Sequence, residues 1–302
     1  MTTLAAHLTA VCAAYGITPL REPVPLQQGY VAYVHRVDLV DGSAVFTKTY
    51  DDARPITAMI MPTLAAITTA TQTLATVPAV AGRIVAPLPG LLVRSGPYTS
   101  VVFPYIDGIT PRETPLTAPQ LTALVTTVAR IHAVDTTLPG LSSVPVEDFS
   151  AVWVDDVVPA LQEAAHPGHP LTALIAPLLS TLSERYAQFL QLAGELRARH
   201  HPLVVCHTDI HGYNVVIADD VPLLIDWEGM KIAPPEHDLM FWVDDERWES
   251  IWEVYRAVHP AATIDPERLT FYRLRRLFED LVQDVQRVTQ EHPTPEQMVD
   301  LA

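Results

Sequence analysis

The stretch 207-HTDIHGYNVVIADDVPLLIDWEGMKIAPPEHD-238 decides how the rest of the chain is read. It sets His207-Thr208-Asp209 ahead of Asn214, then two apolar runs around Asp219-Asp220, then Asp226-Trp227-Glu228. Leu203–Cys206 reads as a buried strand leading into a turn, and Asn214–Ile217 with Leu223–Ile225 as the arms of a hairpin. Such a hairpin brings Asn214 and Asp226 together as hard oxygen ligands of the kind magnesium accepts alongside water and substrate phosphates. Asp209, in the preceding loop, is placed to orient an attacking hydroxyl and take its proton, with His207 bracing the loop. Together these residues have the layout of a phosphoryl-transfer site.

Two other readings account for parts of the same stretch. His207, Asp209 and His211 alternate, so on an extended strand they would face one way as zinc ligands do. Gly212 interrupts that strand, however, and no further His or Cys cluster follows. Polar residues capping turns around a hairpin explain each residue singly but not the set.

Bulk composition narrows the class. A chain of 302 residues is long enough for two lobes with a cleft between them. No apolar run approaches the roughly 20 residues of a membrane span, so no membrane partner is expected. The start, MTTLAAHLTAVCAAYG, lacks a basic leader and puts Leu4, Leu8, Val11, Cys12 and Tyr15 on one helical face, from which we expect a first helix and a cytoplasmic protein. Cys12 and Cys206 form no disulfide framework. Nineteen basic against 35 acidic residues give a formal net charge of −16, which argues against nucleic acid as partner; it suits a cationic small substrate, and it is also what solubility alone would give. Composition leaves a monomer or a homodimer open.

Upstream, Tyr30–Val40 and Ser43–Tyr50 are strand-like runs around Asp41-Gly42, a hairpin signal. Gln28-Gly29-Tyr30 forms the bend entering the first strand, and Gly29 is a candidate phosphate-loop glycine. The chain has two lysines, Lys48 and Lys231, against 17 arginines, so a lysine inside VFTKTY is not a generic cation. Its compact ammonium suits nucleotide phosphates. Arg54–Ala75 is helix-competent, yet no Asp or Glu occurs between Ala53 and Ile106, so the helix cannot supply a glutamate to pair with Lys48. Arg83–Ala86, Leu91–Val93 and Ser100–Pro104 read as further strands.

Phe103-Pro104-Tyr105-Ile106-Asp107-Gly108 breaks the strand pattern and marks a lobe boundary where backbone groups could meet an adenine edge. It divides the chain into an N-terminal lobe, residues 1–103, of antiparallel sheet, and a mainly helical C-terminal lobe, residues 104–302. The fold class is α+β. Beyond the boundary, Thr117 caps a helix running to His132, a packed or capping histidine. Val144–Ala165, Leu171–Arg199, Glu236–Val243, Glu246–His259 and Pro266–Glu291 read as mostly helical. His166 and His169 sit in a solvated loop.

At these residues the chain resembles the aminoglycoside phosphotransferase-like kinases, relatives of the protein kinase fold. The resemblance is carried by His207-Thr208-Asp209 with Asn214, by Ile225-Asp226-Trp227-Glu228 and by Pro235-Glu236-His237-Asp238-Leu239. It extends to Tyr15-Gly16-Ile17, the hairpin ending in Lys48, the segment Phe103–Gly108 and the helix ending Ala129-Arg130-Ile131-His132. The wording is most similar to the spectinomycin-phosphotransferase branch. It implies a bilobal kinase-like fold using ATP, with GTP open, and Mg²⁺. It further implies Asp209 as catalytic base, Asn214 and Asp226 as metal ligands, Lys48 as the phosphate lysine, and Glu228 as an aid to metal or substrate. Without a helix glutamate, Asp226 or a water beside it is expected to pair with Lys48. Phe103 and Tyr105 are the expected nucleobase contacts. Nine acidic residues against two basic between Asp226 and Glu253, Asp244 and Asp245 among them, point to a cationic acceptor, an aminoglycoside or aminocyclitol. Choline, homoserine, methylthioribose or another metabolite would fit the same chemistry, and a kinase-shaped binding protein with little turnover is a different class.

Overall fold

The computed structural model describes residues 2–26, 31–54, 57–90, 92–150 and 154–291. Contacts divide the chain into two compact units, Met1–Val146 with Leu203–Ala262, and Glu147–Pro202 with Thr263–Ala302. The expected class holds: a five-stranded antiparallel sheet comes first and the later part is mainly helical.

In the first unit, α1 (Leu4–Ala14) starts at Thr3, whose side chain accepts from the amide of Ala6, and buries His7, Leu8, Val11 and Cys12. The strands β1 (Val24–Pro25), β2 (Tyr33–Asp38), β3 (Ala44–Asp51), β4 (Val93–Ser95) and β5 (Tyr98–Pro104) pair in the order β1-β2-β3-β5-β4. Asp41-Gly42 makes the expected β2–β3 turn, with Gly42 at φ 88° and Ser43 donating to the Asp41 carboxylate. Side chains alternate across a strand. Val45 therefore faces the cluster of Val11, Cys12, Val37 and Val102 under α1, while Phe46, Lys48 and Tyr50 face the other way.

Helix α2 (Thr57–Thr76) contributes Leu64 to a second cluster with Ala32, Tyr50 and Val101. Farther along it packs on a single 3₁₀ turn, Pro139–Leu141, so closely that a Cβ on Gly140 would collide with the side chain of Thr73. Arg83–Ala86, expected as a strand, makes only one parallel bridge, Ile84 to Leu224. Leu224 donates to Arg83 O and accepts from Val85 N, and Pro87 and Pro89 lack the amides a longer ladder needs. After β5, α3 (Ala118–His132) begins at Thr117 with a complete capping box to Gln120.

The second unit holds α4 (Val154–Ala165), α5 (Thr172–Ile175) and α6 (Leu179–Arg197). Residues 144–150, expected as part of a helix, are irregular, with Phe149 at φ 54°. Back in the first unit come β6 (Val204–Cys206), β7 (Val215–Ala218), β8 (Val221–Leu224), β9 (Lys231–Ala233), α7 (Glu236–Leu239) and α8 (Trp248–Val258). The helix α9 (Pro266–Glu291) closes the second unit. No helix among the described residues is long and apolar enough to cross a membrane.

The core of the second unit is aromatic, with Phe189 stacked on Phe271 at 5.2 Å and Phe149 edge-on to Phe271. Glu147 fixes the turn beside it, accepting from the amide of Phe149 at 2.8 Å and from Arg275 Nη1 at 2.8 Å. Both charged side chains are buried, and Arg275 also holds Glu279 through Nε at 3.0 Å, so removing Glu147 takes one of its two carboxylate partners and costs less than the roughly 3–5 kcal/mol of a fully broken buried pair. Glu147→Ala is expected to lower the melting midpoint and the denaturant midpoint sharply, whereas Glu147→Gln keeps part of the loss in check; equal stability of Glu147→Ala and wild type would remove the ion pair from this account.

Candidate active site

The loop after β6 is held from behind by a buried carboxylate. Asp238, on α7 and 1% exposed, accepts from the amides of His207 at 2.9 Å and Thr208 at 2.6 Å and from His132 Nε2 at 2.9 Å. His132 Nδ1 lies 2.9 Å from the hydroxyl of Tyr255 on α8. Burial first, then nearby negative charge, raises the Tyr255 pKa, so the phenol stays protonated and donates. A directed chain results: Tyr255 O–H to His132 Nδ1, then His132 Nε2–H to Asp238. Thr208, at φ 76°, is in a conformation that non-glycine residues rarely adopt, and the Asp238 contact stabilises it.

That φ also ends the extended chain, so His207, Asp209 and His211 do not share one strand face as the zinc reading required. His207 turns instead toward the hairpin. Its Nδ1 accepts from the amide of Asp209 at 3.3 Å, leaving Nε2–H to donate to Ile225 O at 2.7 Å, and its ring lies 4.5 Å from that of Trp227. His207 thus links the loop bearing Asp209 to the residue before Asp226, a positioning role.

The β7–β8 hairpin forms as expected, with Asp219 and Asp220 at φ 48° and 63°, the pair of left-handed residues a two-residue turn requires. Val215 pairs with Leu224, and Ile225 N donates to Asn214 O at 3.0 Å, which puts Asn214 beside the residue preceding Asp226. Asn214 Nδ2 donates to Asp209 Oδ2 at 2.8 Å and to Asp209 O at 3.0 Å. His211 Nε2 is 3.3 Å from the same Oδ2. With its amide nitrogen so engaged, Asn214 has Oδ1 as the atom that could hold a cation, and Asp226 gives Oδ1 to Lys48. Two hard oxygens on adjoining backbone suit a small divalent cation.

Lys48 is 8% exposed and lies between two carboxylates, with Nζ 2.8 Å from Asp226 Oδ1 and 2.5 Å from Glu228 Oε1. Burial pulls its pKa down, but attraction and hydrogen bonds to Asp226 and Glu228 outweigh this, so the pKa is raised and the ammonium stays charged. Asp226 is therefore a partner, as expected, and Glu228 is a second one that sequence reasoning assigned only to metal or substrate. The hydroxyl of Tyr50 also donates to Glu228 Oε1. Tyr50 was legible only as the residue two beyond Lys48, hence on the same strand face.

The remaining candidates are scattered in role. Phe103 shares the Lys48 face of the sheet, its ring 6.2 Å from Phe46. Tyr105 uses its amide on Ala44 O at 3.1 Å and carries Arg36 over its ring at 4.3 Å. Gly29 lies outside the described residues. Asp245 turns both oxygens to Arg247, at 2.8–2.9 Å, and these bonds hold its carboxyl below the usual range. Asp244 is exposed, as are Glu246, Glu249 and Glu253, whereas Glu236 and Asp238 are buried.

A family model described as "Phosphotransferase enzyme family" matches residues 41–282. Protein StrN of Streptomyces griseus is 30% identical over 226 residues, covering 70% of this chain and 66% of its own length. Among solved structures, spectinomycin phosphotransferase APH(9)-Ia in complex with ADP and spectinomycin superposes with a TM-score of 0.74 at 18% identity, covering 100% of this chain and 93% of that one. Aminoglycoside phosphotransferase APH(3'')-Id from Streptomyces rimosus, in complex with ADP and streptomycin, gives 0.57 at 21% identity over 92% and 99% of the two chains. These likenesses establish the fold.

Asp238→Ala would leave the amides of His207 and Thr208 and the ring of His132 without their acceptor. Each lost partner of a buried donor costs about 1–3 kcal/mol. The variant is expected to unfold at distinctly lower denaturant, and amide exchange at His207 and Thr208 should rise above that of the rest of the chain; unchanged exchange at those two amides would show that the loop is held by something else.

Proposed function

The chain belongs to the phosphotransferase enzyme family, and we propose that it transfers the γ-phosphoryl group of ATP to a hydroxyl of a cationic small molecule, an aminoglycoside or aminocyclitol. The observation that carries this reading is the convergence of three groups on one hairpin. Lys48 is set against Asp226, Asn214 is hydrogen-bonded to Ile225 immediately before Asp226, and Asp209 is oriented by Asn214.

In this reading Asp209 accepts a hydrogen bond from the attacking hydroxyl, aligns it with the phosphorus and takes its proton late, since a loose transition state demands little prior deprotonation. Asn214 fixes the carboxylate through Oδ2, and His207 fixes the loop that carries it. Lys48 has three N–H donors, two of them directed at Asp226 and Glu228, and the third is its contact for a phosphate oxygen. Magnesium, held by Asn214 Oδ1 and Asp226 Oδ2, would supply neutralisation of the β- and γ-phosphate charge. The Lys48 side of the sheet, with Phe46 and Phe103, would take the nucleobase.

The acceptor class rests on charge. Asp244, Glu246, Glu249 and Glu253 are exposed along one segment leading into and through α8, and a field of that sign favours an ammonium-bearing molecule. The ADP and spectinomycin held by one structural neighbour, and the ADP and streptomycin held by another, support the same choice.

A coupled assay of ATP consumption over a panel of aminocyclitols, aminoglycosides, choline, homoserine and methylthioribose tests the reading. Stimulation by an aminocyclitol or aminoglycoside is expected, stimulation only by the others reassigns the acceptor, and no stimulation by any of them ends the proposal. Asp209→Ala should lower turnover on the order of 10²- to 10⁴-fold while nucleotide affinity is retained.

A further inference from the structure

We infer that Tyr50 is a positioning residue for the phosphate-binding lysine: its hydroxyl fixes Glu228 on Lys48, which makes Glu228 the lysine's standing partner. The inference rests on the proposed role of Lys48. Helix α2 offers no carboxylate, so whatever holds the ammonium must come from elsewhere. Two candidates touch it, and the structure distinguishes them. Glu228, with its side chain 17% exposed, receives both Lys48 and the Tyr50 hydroxyl on Oε1. Asp226, with its side chain 35% exposed, meets the lysine through Oδ1. A carboxylate with two donors, one of them on a buried ring, is the harder of the two to move.

Tyr50 is itself immobile. It is 1% exposed, and its ring belongs to the cluster of Ala32, Leu64 and Val101, with Ile60, Met61 and Phe103 packed against it. Phenylalanine would fill that space as well. A buried hydroxyl is unfavourable without a partner, and Glu228 is the partner the geometry provides. The alternation of β3 sets Lys48 and Tyr50 on the same face, so one strand carries both the cation and the group that anchors its counterion.

Calorimetric titration of the full chain with MgADP, in wild type, Tyr50→Phe, Glu228→Gln and the double variant, tests this. Each single change is expected to weaken binding about tenfold, and the double variant to be about as weak as Glu228→Gln alone, because both act through one contact. Rescue is built into the set: Glu228→Asp, which keeps the charge, should retain more affinity than Glu228→Gln. Penalties that multiply in the double variant, or a Tyr50→Phe affinity within about twofold of wild type, would overturn the inference while leaving the proposed function standing. A wild-type protein that binds no MgADP would overturn both. Tyr50→Phe removes one oxygen from a site whose ring remains, and Glu228→Gln probes the same contact from the more exposed side, so a folding defect in one does not shield the idea from the other.

Discussion

One buried carboxylate carries the local architecture. Asp238 takes two backbone amides and an imidazole N–H, all within 2.6–2.9 Å, and these three donors belong to β6's outgoing loop and to α3. A carboxylate is suited to such convergence because it has acceptor capacity on both oxygens and no hydrogen of its own to turn away. Without it, Thr208 would relax from its left-handed conformation, and the direction in which Asp209 leaves the strand would no longer be set. The brace reaches farther through His132 to Tyr255, so α3, α7 and α8 are joined at the rear of the same loop.

A second constraint is how the negative charge is committed. The chain is strongly acidic, yet much of the acid counted between Asp226 and Glu253 is committed internally. Asp226 and Glu228 hold Lys48, Asp245 holds Arg247, and Glu236 and Asp238 are buried. The remaining exposed carboxylates set the sign of the local field, which is weaker than the residue count alone implies. Charge near a site therefore has to be sorted by partner before it is used as an argument about ligands.

Much of this was legible in the sequence where local chemistry is decisive. Asp41-Gly42 specified a hairpin, Thr117 specified a helix start, and the apolar arms around Asp219-Asp220 brought Asn214 to Asp226. What was not legible depends on contacts distant along the chain. The strand β9 is three residues long and exists because β6 pairs with it, and Arg83–Ala86 has strand composition but finds only Leu224. Glu228 and Tyr50 meet across 178 positions of sequence, which no spacing rule reaches. The second unit's helix start at Val154 was placed too early because a positive φ at Phe149 cannot be read from an apolar pattern.

The anchoring of α2 has a consequence for control. It rests on the 3₁₀ turn Pro139–Leu141 and on Gln72, which donates to Leu88 O, and it has no carboxylate to give or withhold. In kinases that pair their lysine through a mobile helix, moving that helix is how a regulator switches them on and off. Here, on the proposed reading, lysine and counterion both come from outside α2, so a displacement of that helix would reach the pair only through its packing on Tyr50.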